Sequence, residues 1–241
     1  MNESDWRNRT LLLLGKEKLA RLKSAHVLVA GLGGVGGYAA EQLCRAGVGE
    51  LTLVDNDIVQ PSNRNRQIIA LQSTEGKPKT KILEERLLDI NPDVKVSAKP
   101  AFLNDQTINE ILIISYDFVV DAIDTLKPKV TLIAETYRRN IPIVSSMGSA
   151  GKTDPSQVQI SDIEESHHCR LAYMVRKHLH RQNIRNGIKV VYSPEPVDKE
   201  GIVVTDGSNN KRSLVGTISY MPAIFGCFCA AEVIRNICEM K

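Results

Sequence analysis

Residues 26–36 read His-Val-Leu-Val-Ala-Gly-Leu-Gly-Gly-Val-Gly, and residues 50–55 read Glu-Leu-Thr-Leu-Val-Asp. The first stretch is a short apolar run that enters Gly31-x-Gly33-x-x-Gly36 and continues into a helical composition over Gly36–Ala46. The second holds a strand over 50–54 that leads into the carboxylate of Asp55. Together they make a βαβ unit with turn-sized connections, which implies a parallel sheet. Gly31, Gly33, Gly34 and Gly36 let backbone N–H groups and a helix N-terminus approach phosphate oxygens. Asp55 follows Gly36 by 19 residues, where a carboxylate can accept ribose hydroxyls. Alone, this pattern fits NAD, FAD or ATP.

Outward from that unit, the periodicity predicts a helix over 9–23 with an apolar stripe of Leu11, Leu12, Leu14, Leu19 and Leu22. It predicts further helices over 77–91, opened by Pro78, and over 105–115 and 128–140, with strands at 94–98, 118–122 and 141–145. From Gly148 the rhythm changes to a glycine-rich loop, a half-exposed strand at 157–162 and a basic helix over 168–185. Short strands at 190–192 and 202–204 precede an apolar helix over 222–237. The expected fold class is α/β, a Rossmann-like doubly wound sheet continued by a smaller mixed-sheet half. Residues 1–150 form the expected nucleotide-binding half, with a helical arm at 1–24. Residues 151–241 form the substrate-facing and dimerisation half, sharing the same core.

The chain has 241 residues, 42% of them hydrophobic, enough for a sizeable core. A net charge of +3 permits a nucleic-acid partner without arguing for one. The five cysteines are odd in number and form no CxxC pair, and the polar start Met1–Trp6 has no signal-peptide pattern. A reduced, cytoplasmic setting is expected. Leu214–Ala231 carries no charge, but Gly216, Thr217, Ser219, Pro222 and Gly226 interrupt it. It reads as a buried strand–helix pair rather than a membrane span.

The charge downstream of the glycine turn separates the nucleotides. A triphosphate brings more negative charge than a dinucleotide, and adenylyl transfer needs cations aimed at it. Asp55-Asn56-Asp57 is followed by Ser62-Asn63-Arg64-Asn65-Arg66-Gln67, Gly76-Lys77-Pro78-Lys79 and Asp121-Ala122-Ile123-Asp124. Arg66 and Lys79 can hold phosphates, and Asp57 or Asp124 can help place Mg2+. Singly, each is a solvated charge; at successive strand ends of one sheet they mark a ligand edge.

The series GxGGVG, LVDxD, SNxNRQ, GxxK and DAID resembles that of the ThiF/MoeB/HesA adenylating enzymes, related to ubiquitin-activating enzymes, over nearly the whole chain. The resemblance implies that Gly31, Gly33, Gly34 and Gly36 line ATP phosphates and that Asp55 binds the ribose. Asn63 and Arg66 would contact phosphates, Lys79 would stabilise the α-phosphate as pyrophosphate leaves, and Asp124 would sit by nucleotide and metal. It further implies a homodimer in which Arg9 reaches the partner's ATP. Within the family, Trp6-Arg7-x-Arg9, Asn65–Leu71, Ile90-Asn91-Pro92, Asp154–Gln157 and Leu171-Ala172 with Val175-Arg176 resemble the branch that cyclises threonylcarbamoyladenosine in tRNA. No zinc is expected, because no four S/N ligands stand at plausible spacing. Two departures lie in the substrate-facing half: Cys169-Arg170 stands where that branch leads one to expect Asp-Pro, and 186–211 is short.

Cys169 beside His167 and His168 is a loop cysteine or an activated thiol. Cys227 and Cys229 read as packing, and Trp6 as an anchor for the arm. Arg176, Lys177 and Arg181, in a run with Arg170, His178, His180, Arg185 and Lys189, are the candidate tRNA contacts; a solvated helix face is the plainer reading. Rival readings are an activator of a Gly-Gly-ended sulfur-carrier protein, with a sulfur-transfer or redox partner, a nicotinamide oxidoreductase, and a catalytically silent binding module.

Overall fold

The computed structural model describes residues 5–197, 202–204 and 213–240. Strand β1 (His26–Ala30) is an interior strand, third in the order of a seven-stranded sheet. On one side lie β2 (Glu50–Val54) and β3 (Lys95–Lys99). On the other lie β4 (Phe118–Asp121), β5 (Ile143–Ser146), β7 (Lys189–Tyr192) and the edge strand β6 (Gln159–Asp162). All neighbours pair in parallel except β6, which runs antiparallel to β7. A separate two-stranded pair joins β8 (Ile202–Val204) to β9 (Ser213–Val215).

Central strands of such a sheet are covered on both faces, which is why β1, β2 and β4 are nearly continuous apolar runs with almost every residue buried. One face is covered by α1 (Asn8–Ser24), α2 (Gly36–Ala46), α3 (Lys79–Ile90) and α7 (Tyr220–Ile237). The other is covered by α4 (Asp105–Ile111), α5 (Leu126–Arg138) and α6 (Arg170–His180). Helix α2 buries Ala39, Ala40, Leu43 and Cys44. It ends where Gly47, at φ 96°, returns its N–H to Cys44 and Val48 returns its N–H to Leu43. Helix α7 lies hard against α2: a Cβ on Gly226 would stand 2.4 Å from the Val35 carbonyl oxygen. The C-terminal helix therefore backs the glycine turn, and β6, β7 and α7 belong to the same core as the first half.

Three expectations need correction. The stripe over 9–23 is buried only in part: Leu22 is in the core and Leu14 packs against it, but Leu12 is 65% exposed and its neighbour Leu13 84%, because Gly15 at φ 80° breaks α1 and sets its first half apart. Helix α4 stops at Ile111, ahead of the β-branched Ile113 and Ile114, which helices disfavour. Helix α6 stops at His180, where Asn183 at φ 60° turns the chain and Ile184 donates its N–H to Leu179. Leu214–Ala231 spans the end of β9 and most of α7, and among the described residues no helix is long and apolar enough to cross a membrane.

Because the central strands are parallel, Gly31, Asp55, Ala122, Met147 and Ser193 all emerge at one edge of the sheet. Strand order reverses between β1 and β4, so a crevice opens there, the position where sheets of this kind bind ligands.

Candidate active site

The glycine turn sits in that crevice, and its glycines do different jobs. At Gly31, φ is +87° and a Cβ would come 2.7 Å from the Ala122 carbonyl oxygen; at Gly36 it would come 1.8 Å from the Gly31 oxygen. At Gly34 it would meet Pro222 Cβ at 2.9 Å and Arg66 Cγ at 3.4 Å. These three are demanded by packing. Gly33 is different: its nearest neighbour is Gln67 Nε2 at 3.7 Å, so its bare backbone faces room. Gln67 is buried, and its Oε1 has no hydrogen-bond partner among the described residues. A buried acceptor left unmatched beside an open backbone suits a ligand that brings donors.

Asp55 closes the floor. Leu32 donates its N–H to Asp55 Oδ2 at 2.6 Å, and Asp57 donates its N–H to Oδ1 at 2.8 Å. Burial pushes the Asp55 carboxyl above its usual range, with Lys79 and the two N–H donors opposing the shift. Each oxygen keeps a lone pair for a further donor.

The chain then makes an excursion over 57–79 and is pinned at its neck by Val59 N–H to the Lys77 carbonyl, Gly76 N–H to Val59, Lys79 N–H to Asp57 and an Ile58–Pro78 bridge. Lys79 is buried, and its Nζ donates to Asp57 Oδ2 at 2.8 Å, on a side chain that is 60% exposed. Arg66 Nη1 donates to the Ser62 carbonyl and to Asn65 Oδ1, each at 2.9 Å. Burial lowers the Arg66 pKa and the charge of Asp124 opposes this, which makes the exposed Asp124 an electrostatic neighbour of Arg66. Asn63 points inward, its Oδ1 accepting the Gln60 N–H at 3.0 Å, so it shapes the loop. Arg66 and Lys79 do not come from separate strand ends as the spacing implied. Both ride the one β2–α3 connection, which the Ile58–Pro78 bridge folds back to the edge, so the cluster derives from the ends of β2 and β4 alone.

Beneath the crevice lies an ion pair that the sequence reading missed. Lys129 and Asp121 are both fully buried, with Lys129 Nζ donating to Asp121 Oδ2 at 2.7 Å, to Ser145 Oγ at 3.1 Å and to the Ser146 carbonyl at 2.9 Å. Ser145 Oγ donates to the same carboxylate oxygen at 2.5 Å.

The remaining candidates lie elsewhere. Arg9 is exposed on the first turn of α1, and Trp6 is 45% exposed under the Arg7 guanidinium rather than anchored in the core. Lys177 and Arg181 are exposed on and just past α6, whereas Arg176 is held: its Nη1 donates to the Ile163 carbonyl at 2.9 Å and to Ser166 O and Oγ, each at 2.8 Å. Cys169 is buried in the wall of a cavity of about 380 Å³ that His167, His168, Arg170 and Tyr173 also line. His168 there adopts φ 53°. Buried Lys152, whose Nζ donates to the Glu195 carbonyl, has its pKa lowered by burial and partly restored by Cys169 and Glu195. Cys229 is buried and Cys227 is exposed, so only one of that pair packs. Among the described residues, no group of three or more His, Cys, Asp or Glu gathers as a metal cage.

The ThiF family matches residues 7–241. A tRNA threonylcarbamoyladenosine dehydratase of Bacillus subtilis is 38% identical over 95% of this chain and 93% of its own length. One from Haemophilus influenzae is 36% identical, covering 93% of this chain and 90% of that protein. A crystal structure of the Escherichia coli tRNA N6-threonylcarbamoyladenosine dehydratase in complex with ATP superposes with a TM-score of 0.87 at 32% identity, covering 98% of this chain and 96% of that one.

Proposed function

This chain belongs to the ThiF family, and we propose that it is an ATP-dependent dehydratase that adenylates the threonyl carboxylate of N6-threonylcarbamoyladenosine in tRNA and closes it into the cyclic form. The observation that carries this reading is a likeness to the dehydratases across 95% of the chain, joined to the nucleotide edge described above.

In the first step a carboxylate oxygen attacks the α-phosphorus of ATP and the bond to pyrophosphate breaks. In the second, the carbamoyl oxygen attacks the activated carbonyl carbon and AMP leaves, carrying away the carboxylate oxygen. The nucleoside loses the elements of water. No protein nucleophile is required; orientation and charge stabilisation do the work. The turn from Gly31 to Gly36 offers backbone N–H groups to the phosphates, with Gly33 as the point of closest approach. Asp55 uses its free lone pairs on ribose hydroxyls. An α-phosphate oxygen takes the place of Asp57 as the partner of Lys79, and Arg66 meets charge developing toward pyrophosphate. Asp57 and Asp124 are exposed carboxylates that suit Mg2+, an ion commonly held by one or two carboxylates plus phosphate oxygens, where it neutralises phosphate charge.

The exposed Leu12 and Leu13 support a homodimer in which the arm carries Arg9 to the partner's nucleotide. Residues 1–150 then hold ATP, and 151–241 face the RNA and the partner subunit. On α6, Lys177 and Arg181 contact tRNA phosphates while Arg176 braces the 163–166 turn. Such a reaction belongs in the cytoplasm.

The test is release of pyrophosphate and AMP from ATP, comparing tRNA that carries threonylcarbamoyladenosine with an unmodified transcript. Release with the modified tRNA alone, abolished by Lys79→Ala, is expected. Release with neither RNA would discard the tRNA assignment and make a Gly-Gly-ended carrier protein the next substrate to try.

A further inference from the structure

The fully buried Lys129–Asp121 pair does not touch the crevice, yet it sits directly under it. Stability does not explain its presence, since replacing a buried ion pair by apolar side chains of similar volume is often neutral or stabilising. What sets this pair apart is where its hydrogen bonds lead. Asp121 Oδ1, the oxygen that Lys129 does not use, accepts the N–H of Ile123 at 3.0 Å. The carboxylate is thereby tied to the turn that leaves β4. In that turn the Ala122 carbonyl oxygen lies where a Cβ at position 31 would stand only 2.7 Å from it, so it packs on the glycine loop as only a glycine at 31 allows. Two residues on, Asp124 stands as the electrostatic neighbour of Arg66. At its other end the pair is fixed from two elements: Lys129 from α5, and Ser145 and the Ser146 carbonyl from the end of β5. Buried Cys229 of α7 lies near enough for both charges to act on its thiol, so this face of the cluster is closed as well.

We infer that Asp121 and Lys129 are positioning residues for adenylation: their buried hydrogen bonds set the 121–124 turn, and the turn holds the glycine loop and Asp124 in register for ATP. The inference rests on the adenylation reading above. It assigns the task to the hydrogen bonds of the pair rather than to its charge, and this separates it from a merely structural role.

Two double variants test it in the full-length protein, with thermal melting and steady-state turnover on modified tRNA as readouts. Asp121→Val with Lys129→Met stays close to the parent volume and removes the polar ties. Asp121→Asn with Lys129→Gln removes the charge but keeps an acceptor for Ile123 and a donor for the Ser146 carbonyl. Both are expected to melt cooperatively. The apolar double should raise KM for ATP by about tenfold or more with a fall in kcat, while the polar double stays within about threefold of the parent. An apolar double within about twofold of the parent in both constants would overturn the inference, as would equal losses in the two doubles. If either double fails to fold, Ser145→Ala carries the test, since it removes only the hydroxyl that donates to Asp121 and accepts from Lys129. It should raise KM for ATP about threefold with kcat unchanged, and an unchanged KM would overturn the inference. A parent enzyme that fails to turn over would sink the adenylation reading itself, an outcome distinct from a working parent matched by its apolar double.

Discussion

Two of the lysine–aspartate pairs in this molecule share a contact geometry and differ in their access to water. Lys79 Nζ lies 2.8 Å from Asp57 and Lys129 Nζ lies 2.7 Å from Asp121, yet the side-chain exposures are 5% and 60% in the first pair and zero in the second. The first pair has one open flank, so an incoming phosphate oxygen can replace the carboxylate. In the second, Ser145, the Ser146 carbonyl and the Ile123 N–H occupy the space around both charges, so nothing can be exchanged without unfolding it. One contact geometry therefore serves two ends: a partner that can be given up beside the ligand, and a fixed point that shapes the ligand's walls.

Removing one cation from each pair should exaggerate the contrast. Lys129→Met leaves a buried carboxylate without its counter-ion and should cost about 3–5 kcal/mol of stability. Lys79→Met leaves Asp57 open to water but removes the charge that offsets the burial of Asp55, and should cost less than Lys129→Met, about 1–2 kcal/mol. Urea melts of the two variants decide this, and equal losses would erase the distinction. The glycine turn gives a second contrast. Gly36→Ala drives a Cβ to 1.8 Å from the Gly31 oxygen and should abolish folding or cost at least about 3 kcal/mol, whereas Gly33→Ala should fold and lose mainly ATP affinity. Calorimetric ATP titration of Gly33→Ala, alongside its melting curve, measures both halves of that statement.

A smaller effect concerns pH. The folded-state pKa of Asp55 is raised by burial, so its ionised form is disfavoured, and Lys79 is the charge that offsets the penalty. A carboxyl raised in this way contributes stability at low pH and loses it as pH rises through the folded pKa. Taking Lys79 away raises that pKa further. The stability gap between parent and Lys79→Met should be widest near about pH 7 and narrow toward about pH 4, as Asp55 protonates in both proteins. Melting temperatures across that range check the sign, and a gap that widens on acidification would reverse the account. The smallest effect is expected at α6: Lys177→Ala with Arg181→Ala should reduce the salt dependence of tRNA binding by about 1–2 phosphate contacts. An unchanged salt slope would return both side chains to a solvated helix face.

The difference between the pairs also governed what could be read from the sequence. Around the glycine turn, strand 26–30, helix 36–46 and strand 50–54 are observed at the bounds that periodicity and turn chemistry predict, because local propensity and burial on both sheet faces agree there. Lys79 announced itself by its spacing after Gly76 and Pro78 at a helix start. Lys129 did not: a lysine one residue after Pro128 in a mixed helix reads as a solvated charge, and only the fold brings it to Asp121. A signal was present in Ser145 and Ser146, two hydroxyls closing an otherwise apolar strand, which ask for a buried polar partner. The exposure of Leu12 was illegible for a different reason. Helical periodicity marks an apolar stripe without saying whether this chain or another covers it, and Gly15 breaks the helix where the stripe would turn inward.

The most direct test of the central claim follows the nucleoside itself. Purified protein, ATP and Mg2+ would be incubated with tRNA bearing threonylcarbamoyladenosine, and the digested nucleosides analysed by mass spectrometry under conditions that keep the ring closed. The account predicts conversion to a species lighter by one water, formed in step with AMP and absent without ATP or with Lys79→Ala. Unaltered threonylcarbamoyladenosine in the presence of active, ATP-binding protein would contradict it.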